Sequence, residues 1–86
     1  ERDFLTAVLN YTSGLIQDKK TDDAMFYMMK FKERFEKEYS NHEAYLATFY
    51  SNLAIVYADK DDFQQALAYD QKAYDIRKQV LGTYSK

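Results

Sequence analysis

The sequence has no cysteine, proline or tryptophan, and its 86 residues include only two glycines and one histidine. The absence of cysteine excludes a disulfide framework and thiolate ligands for a metal. The length allows one small domain at most. A β-rich domain would need more glycine and proline in its turns, so the composition favours long helices joined by short polar corners.

Charge and hydropathy exclude two classes of partner. Acidic and basic residues are mixed along the chain and give a formal net charge of −2. No basic block is present that can release counterions from a phosphate backbone, so we expect no nucleic-acid partner. No apolar run approaches the roughly 20 residues of a transmembrane helix, so we expect no membrane partner either.

The first residues carry no visible targeting signal. The chain opens with Glu1 rather than Met, and no signal peptide precedes the first apolar stretch. We interpret the sequence as a piece excised or processed from a longer protein, whose targeting signals have been lost with the rest. The predicted location is cytoplasmic.

The residues that are present predict helices. Hydrophobic residues make up 47 % of the chain and aromatic residues 17 %, which is too apolar for a disordered segment. They recur at steps of three and four without strand-like alternation, so the pattern predicts an all-α fold of four helices. Polar corners at 17–23 and 59–62 separate the helices of each pair. The predicted core face of the first helix consists of Phe4, Val8, Tyr11 and Leu15.

Local signals indicate where the later helices begin and end. Ser40 and Glu43 have the spacing of a capping box at the start of the third helix. Asp61 or Asp62 can cap the fourth helix, and Gly82 stands where the end of that helix favours a left-handed residue. The helically spaced residues of the fourth helix are Phe63, Ala66, Leu67, Ala73, Tyr74, Arg77, Val80 and Leu81.

The chain also repeats itself with a period of 42 residues. Under this shift the two polar corners coincide. Small alanines recur as well, and because small residues at fixed places let helices approach closely, their recurrence is a packing signature. The identical pairs are Thr6 with Thr48, Asn10 with Asn52, Ala24 with Ala66, Tyr27 with Tyr69, and Lys30 with Lys72.

The second unit has the spacing of a known repeat, and the residues that carry it are Tyr50, Leu53, Ala54, Tyr57, Asp62, Phe63, Ala66, Tyr69, Gln71, Lys72, Ala73 and Ile76. With these residues the unit resembles a tetratricopeptide repeat (TPR). The segment 76–82 is similar to the 42-residue variety of the repeat in kinesin-light-chain-type arrays. Asp70 departs from the family pattern, which usually has an aromatic residue there.

The first unit is a weaker match, through Val8, Tyr11, Thr12, Leu15, Ala24 and Phe31. The resemblance implies two tandem antiparallel helix hairpins, a four-helix fragment of a right-handed solenoid. We predict repeat 1 at 1–42, repeat 2 at 43–82 and the start of a truncated third repeat at 83–86. Because one such repeat cannot bury its face alone, we expect apolar faces at both ends.

The resemblance also implies a place for a ligand, since the first helix of each hairpin lines the concave surface in this family. The side about 200° from the predicted core face is short, polar and nearly uncharged, with Leu9 beside it. Asn10 and Asn52 are the main candidates, because a carboxamide can pair with both N–H and C=O of a peptide, although on an exposed helix it can equally bind water. The predicted peptide-binding residues are Thr6, Asn10, Ser13, Gln17, Thr48, Ser51, Asn52, Ile55 and Asp59.

Other kinds of site are not indicated. The carboxylate-clamp form of the family needs Lys and Arg on this surface, and the predicted surface has neither. His42 has no second His or Cys at helical spacing, so we expect no metal and no cofactor. Met25, Met28 and Met29 are interpreted as core filler, with an adaptable binding surface as the alternative. No nucleophile–base pair is visible, so we expect no catalytic residues and no enzyme.

Three hypotheses about function remain. The leading one is a protein–protein interaction module of a larger scaffold or sensor protein, which binds a peptide segment of a partner on the concave face. The alternative is a structural spacer or oligomerisation segment, which self-associates through end helices around 4–7 and 74–81. An enzyme or metal-binding bundle is the third, and elemental analysis for bound metal tests it.

Overall fold

The computed structural model describes the backbone of residues 2–38 and 43–84, and the side chains of 4–38 and 43–79. These residues form four α-helices, α1 (Arg2–Gln17), α2 (Thr21–Glu38), α3 (Glu43–Asp59) and α4 (Phe63–Tyr84), and the described chain contains no strand. The helices pair as α1 with α2 and α3 with α4. The predicted all-α fold of two tandem helix hairpins is confirmed.

The two hairpins turn at corners with the same backbone geometry. Lys19 and Asp61 lie 42 positions apart, and each has a φ of 63°, in the left-handed region. In each corner the next residue donates its N–H to the carbonyl five residues back, at 2.8 Å in the first corner and 2.9 Å in the second. This combination is the Schellman ending of a helix. The backbone therefore repeats with the period that the sequence predicts.

Of the predicted helix ends, the start of α4 is confirmed and its end is wrong. Asp62 is the cap of α4, because its carboxylate accepts the N–H of Gln65 at 3.4 Å, whereas Asp61 is the left-handed corner residue. The predicted ending at Gly82 is wrong, since α4 continues to Tyr84 and no described glycine has a positive φ. One glycine costs a helix only about 1 kcal/mol, so the flanking turns can carry the helix through it. The capping box lies largely outside the described residues.

Helix α3 lies at the centre of the packing, because it contacts α1, α2 and α4. Between the hairpins the rings of Phe35 on α2 and Phe49 on α3 stack with centroids 4.3 Å apart. Ala24 and Ala66, the alanines that repeat in the sequence, are both buried. The buried apolar residues are Leu5, Leu9, Leu15, Ala24, Met28, Phe35, Ala47, Phe49, Tyr50, Leu53, Ala54, Val56, Ala66 and Ala73.

The predicted core face of α1 is correct for Leu15, which is buried, and for Val8, which packs against the core, but it is wrong for the other two residues. Phe4 is 44 % exposed and Tyr11 56 %, whereas Leu5 and Leu9 are buried. Leu9 therefore belongs to the core and not to the margin of the polar surface. The physical reason is the missing neighbour. The corresponding face of α3 lies against α2 of the preceding hairpin, while no described hairpin precedes α1.

Helix α4 shows the same effect at the other end of the molecule. Phe63, Leu67 and Tyr74 have helical spacing but are 64 %, 71 % and 59 % exposed. Among the side chains of α4 that the structure describes, only those of the small Ala66 and Ala73 are buried. The expected apolar faces at the two ends are thus present among the described residues.

Candidate ligand-binding surface

The nine predicted site residues lie on two neighbouring helices and all reach the surface. They form what we call the polar stripe, which consists of residues 6, 10, 13 and 17 of α1 and 48, 51, 52, 55 and 59 of α3. Asn10, Gln17, Thr48, Ile55 and Asp59 are exposed, and the other four are half-buried. Since α1 and α3 contact each other, the two halves of the stripe are adjacent.

A hydrogen bond joins the two halves. The side-chain amide of Asn52 on α3 donates to the hydroxyl of Ser13 on α1, at 2.9 Å. Both residues are half-buried, so the bond is partly protected from water. It fixes the direction of the carboxamide and leaves its oxygen and one N–H for a further partner. The structure thus brings two predicted site residues together, 39 positions apart in the sequence.

Asn10 is in a different situation from its counterpart Asn52. It is exposed, and its carboxamide makes no hydrogen bond to any residue that the structure describes. Its donor and acceptor are therefore available to a ligand without a competing bond within the described chain. Thr48 differs again, because its hydroxyl donates to the carbonyl of Ala44 in its own helix, at 3.0 Å.

One end of the polar stripe is tied to the first turn of α2. The hydroxyl of Thr21 donates to the carboxylate of Asp59 at 3.4 Å. Next to this contact, Lys60 forms an ion pair with Asp22. Both contacts link the corner of one hairpin to the corner of the other. Asp59 is the only charged member of the stripe, so this surface is neutral over most of its length.

A second polar cluster lies between α2, α3 and α4, outside the predicted site. Glu36 accepts the hydroxyl of Tyr50 at 2.8 Å and pairs with Lys32 at 3.0 Å, and Lys72 lies 5.6 Å from the centroid of the Tyr50 ring. Burial alone would raise the pKa of Glu36, but the hydrogen bonds from Lys32 and Tyr50 lower it below its ordinary value. The hydrogen bond to Glu36 raises the pKa of Lys32.

The burial of Tyr50 and its bond to Glu36 raise the pKa of the phenol, so it stays a proton donor at neutral pH. The i,i+4 spacing of Lys32 and Glu36 signalled their ion pair. The bond to Tyr50 had no such signal, because the two residues belong to different repeats. This cluster joins the hairpins.

An apolar, open depression lies between α1 and α2. We call it the end groove, and its volume is about 290 Å³. It belongs to the face of α1 that was predicted to be core. The lining residues are Phe4, Ala7, Val8 and Tyr11 of α1 with Tyr27 and Phe31 of α2.

Metal and membrane sites are not found in the part of the chain that the structure describes. Residues 2–38 and 43–84 hold no group of three or more His, Cys, Asp and Glu placed to bind a metal ion. His42 lies outside the described residues. Of the three methionines, Met28 is fully buried, Met25 packs against the core and Met29 is 43 % exposed. None of the described helices has the length and hydropathy needed to cross a bilayer.

Two hairpins with the same corner, packed side by side and related by a shift of 42 residues, define a helical-repeat protein. Residues 46–83 match the family described as tetratricopeptide repeat. The second hairpin is therefore a tetratricopeptide repeat, and the match is consistent with the kinesin-light-chain-like variety. No curated protein and no solved structure matches the chain. Repeats of this family generally mediate protein–protein interactions and are not catalytic.

Proposed function

We propose that the chain is an interaction segment of a larger scaffold or sensor protein, and that its polar stripe binds a peptide segment of a partner. The observation that carries the proposal is the carboxamide of Asn52, which Ser13 holds in one orientation across the two hairpins. A polar group that is fixed before binding loses little conformational entropy when the ligand arrives. The exposed Asn10 lies one repeat earlier on the same face.

The chemistry of the stripe favours one class of ligand. Two carboxamides can bond the main chain of an extended peptide without reading its sequence. Ile55, which is 45 % exposed, offers an apolar contact for one side chain. The stripe has no Lys or Arg, so a ligand held by its carboxylate is disfavoured, and Asp59 favours a basic residue at that end.

Peptide selection and titration test this proposal. Peptides are selected from a display library against the chain, and the best is titrated against wild type and the Asn10→Ala/Asn52→Ala variant. Two lost hydrogen bonds correspond to roughly 5- to 150-fold weaker binding, or about 1–3 kcal/mol. Circular dichroism checks that the variant keeps its helix content. Equal binding by wild type and variant contradicts the proposal.

Ser13→Ala is the matched control for Asn52. Both Ser13→Ala and Asn52→Ala remove the bond between α1 and α3, but only Asn52→Ala also removes the carboxamide. We expect Asn52→Ala to weaken the peptide several-fold more than Ser13→Ala does. If the two variants weaken binding to the same extent, Asn52 acts only as a link between helices.

The exposed ends support a second candidate function, a structural spacer or oligomerisation segment without a ligand of its own. Its supporting observation is the exposure of Phe4 at one end and of Leu67 and Tyr74 at the other. Sedimentation of the chain over a range of concentrations tests self-association. A cytoplasmic location stays a prediction from the sequence.

A further inference from the structure

A groove between α2 and α4 lies on the side of α3 opposite the polar stripe. Helix α3 contacts both helices, but within the described residues no Cα atom of α2 lies within 8 Å of one of α4. The two helices therefore form the sides of the groove and α3 forms its floor. We call it the tyrosine groove, and its side chains are Met29, Lys32 and Glu36 of α2, Tyr50 and Tyr57 of α3, and Tyr69 and Lys72 of α4.

The middle of the groove is aromatic. The ring of Tyr69 stacks on that of Tyr57 with centroids 5.6 Å apart, and it lies 5.7 Å from the ring of Tyr50. The hydroxyl of Tyr57 donates to the sulfur of Met29 at 4.0 Å. Tyr57 and Tyr69 are half-buried and Met29 is 43 % exposed, so solvent reaches this surface. Aromatic rings beside a thioether suit an apolar side chain of a ligand.

One end of the groove has more positive than negative charge. The carboxylate of Glu36 pairs with Lys32 at 3.0 Å and accepts the hydroxyl of Tyr50 at 2.8 Å. Lys72 lies 5.6 Å from the centroid of the Tyr50 ring and forms no ion pair with a residue that the structure describes. Two lysines thus adjoin one carboxylate, in a chain whose formal net charge is −2.

Two other carboxylates along α4 do not pair with Lys72. Asp75, three residues further on, accepts the side-chain amide of Gln71 at 2.9 Å. Asp62 caps the start of the helix, ten residues or about 15 Å before Lys72. The excess of positive charge therefore belongs to the end of the groove at Lys72.

Two hydrogen-bond donors at this end have no acceptor within the described chain. They are the ammonium group of Lys72 and the hydroxyl of Tyr69, both next to the ring of Tyr50. Every buried side-chain nitrogen and oxygen that the structure describes has a partner, so the hydroxyl of Tyr69 is open to solvent. A cation and a neutral donor side by side suit a carboxylate, because charge-assisted hydrogen bonds are the stronger ones.

We propose that the tyrosine groove binds an acidic segment of a partner protein, which places a carboxylate between Lys72 and Tyr69 and an apolar side chain on Tyr57 and Met29. The complementary charge is the argument for this partner, since it speeds association and selects against basic segments. The polar stripe is on the other side of α3, because Asn52 is about 200° of helical rotation beyond Tyr50. One ligand therefore does not block the other.

A pair of synthetic peptides tests the proposal. The probe is acetyl-Glu-Leu-Glu-Leu-Glu-amide, and the control has Gln at each Glu. Each is titrated into the chain while the backbone amide signals are followed by NMR. We expect the acidic peptide to cause saturable shifts at Tyr69 and Lys72, and the control to cause none there. The Asn10→Ala/Asn52→Ala variant should give the same result, so the outcome is independent of the proposed function of the polar stripe.

Substitutions on α4 identify the groups that hold the carboxylate. Lys72→Gln should weaken the acidic peptide about two- to fivefold, as for an exposed ion pair. Lys78→Gln is the matched control, because Lys78 is exposed on the same helix and its loss changes the net charge equally. It should leave binding unchanged. Tyr69→Phe keeps the ring and removes the hydroxyl, and it should weaken the peptide about two- to tenfold.

Glu36→Gln should change binding in the opposite direction. It removes the carboxylate that competes for the two lysines, so the acidic peptide should bind about two- to fivefold more tightly. Glu33→Gln changes the net charge equally at an exposed position of the same helix, and it should leave binding unchanged. Circular dichroism checks that each variant keeps its helix content.

Four results overturn the proposal. They are the absence of shifts at Tyr69 and Lys72, equal binding of the two peptides, equal losses in Lys72→Gln and Lys78→Gln, and no gain in Glu36→Gln. Sedimentation of the chain alone tests the remaining occupant. Concentration-dependent association that Lys72→Gln abolishes would assign the groove to a second copy of the chain instead of a partner protein.

Discussion

At the residue scale, polar side chains link the two hairpins on opposite sides of the core. Ser13 and Asn52 form one link, between α1 and α3. Glu36 and Tyr50 form the other, between α2 and α3, with Lys32 as a second donor to the carboxylate. The exposed contacts of Thr21 with Asp59 and of Asp22 with Lys60 add to these links at the corners of the hairpins. Small changes of charge or hydrogen bonding at these residues should therefore affect how firmly the repeats are joined.

The contribution of Glu36 to folding stability depends on pH. Its folded-state pKa is below the ordinary value of 4.5, so the stability it contributes is present above about pH 4.5 and is lost as the pH falls through the lower folded value. We expect Glu36→Gln to be less stable than wild type at pH 7, by under about 1 kcal/mol because the group is partly exposed. The difference should shrink towards pH 3, in urea unfolding followed by circular dichroism.

Glu33→Gln is the matched control for this titration. Glu33 is exposed on the same helix and makes no ion pair with a described residue. Its substitution removes no contact between the hairpins, so it should shift stability little at pH 7. A Glu36→Gln difference that stays constant or grows in acid would show that the carboxylate does not stabilise the interface.

At the scale of the helices, the corners hold stored strain. Lys19 and Asp61 both adopt left-handed backbone, which glycine adopts without the steric cost of a Cβ. We expect Lys19→Gly to raise the free energy of unfolding by about 0.5–1 kcal/mol. Asp61→Gly should raise the free energy of unfolding by less, because aspartate tolerates this conformation better than lysine does.

Thermal and urea unfolding of each corner variant measures the gain. Glu33→Gly, inside α2, is the control that shows what glycine costs at an ordinary helical position. Its free energy of unfolding should be lower than that of wild type by about 1 kcal/mol. A loss of stability at Lys19→Gly would mean that the lysine side chain contributes more than its backbone strain costs.

The corners also show how much of the fold the sequence predicts. The 42-residue period, the four helices and the cap at Asp62 are local patterns, and the structure confirms them. Which apolar face is buried depends on a neighbour. Phe49, Tyr50 and Leu53 are buried on α3, which packs against α2 of the preceding hairpin, whereas Phe4 and Tyr11 are exposed on α1, which no described hairpin precedes.

The candidate site also has features that the sequence predicts and features that depend on how the helices pack. The residues of the polar stripe were predicted from periodicity and the family resemblance, and the structure places them all at the surface. The bond of Asn52 to Ser13 was not predicted, because the two residues meet only after α1 packs against α3. The end groove was missed for a related reason, as its residues had the pattern of a core.

At the scale of the whole molecule, α3 makes one unit of two hairpins. Neither hairpin can bury its apolar face alone, so stability depends on the interface between repeats as much as on each repeat. The centre of that interface is the stack of Phe35 on Phe49, and both side chains are almost completely buried. The molecule is therefore expected to unfold in a single cooperative step, with this stack as its most sensitive point.

Phe35→Ala tests this coupling. The cavity it leaves should cost about 3–5 kcal/mol, which is comparable with the whole stability of a domain of this size. Phe26→Ala is the control on the same helix, since Phe26 is 60 % exposed, and it should cost no more than about 1 kcal/mol.

Hydrogen exchange of the backbone amides in Phe35→Ala measures the protection of each hairpin separately. We expect Phe35→Ala to remove protection from α1 and α2 together with α3 and α4, because each hairpin loses the face that covers it. If α3 and α4 stay protected while α1 and α2 exchange, the second repeat folds on its own and the hairpins are not one cooperative unit.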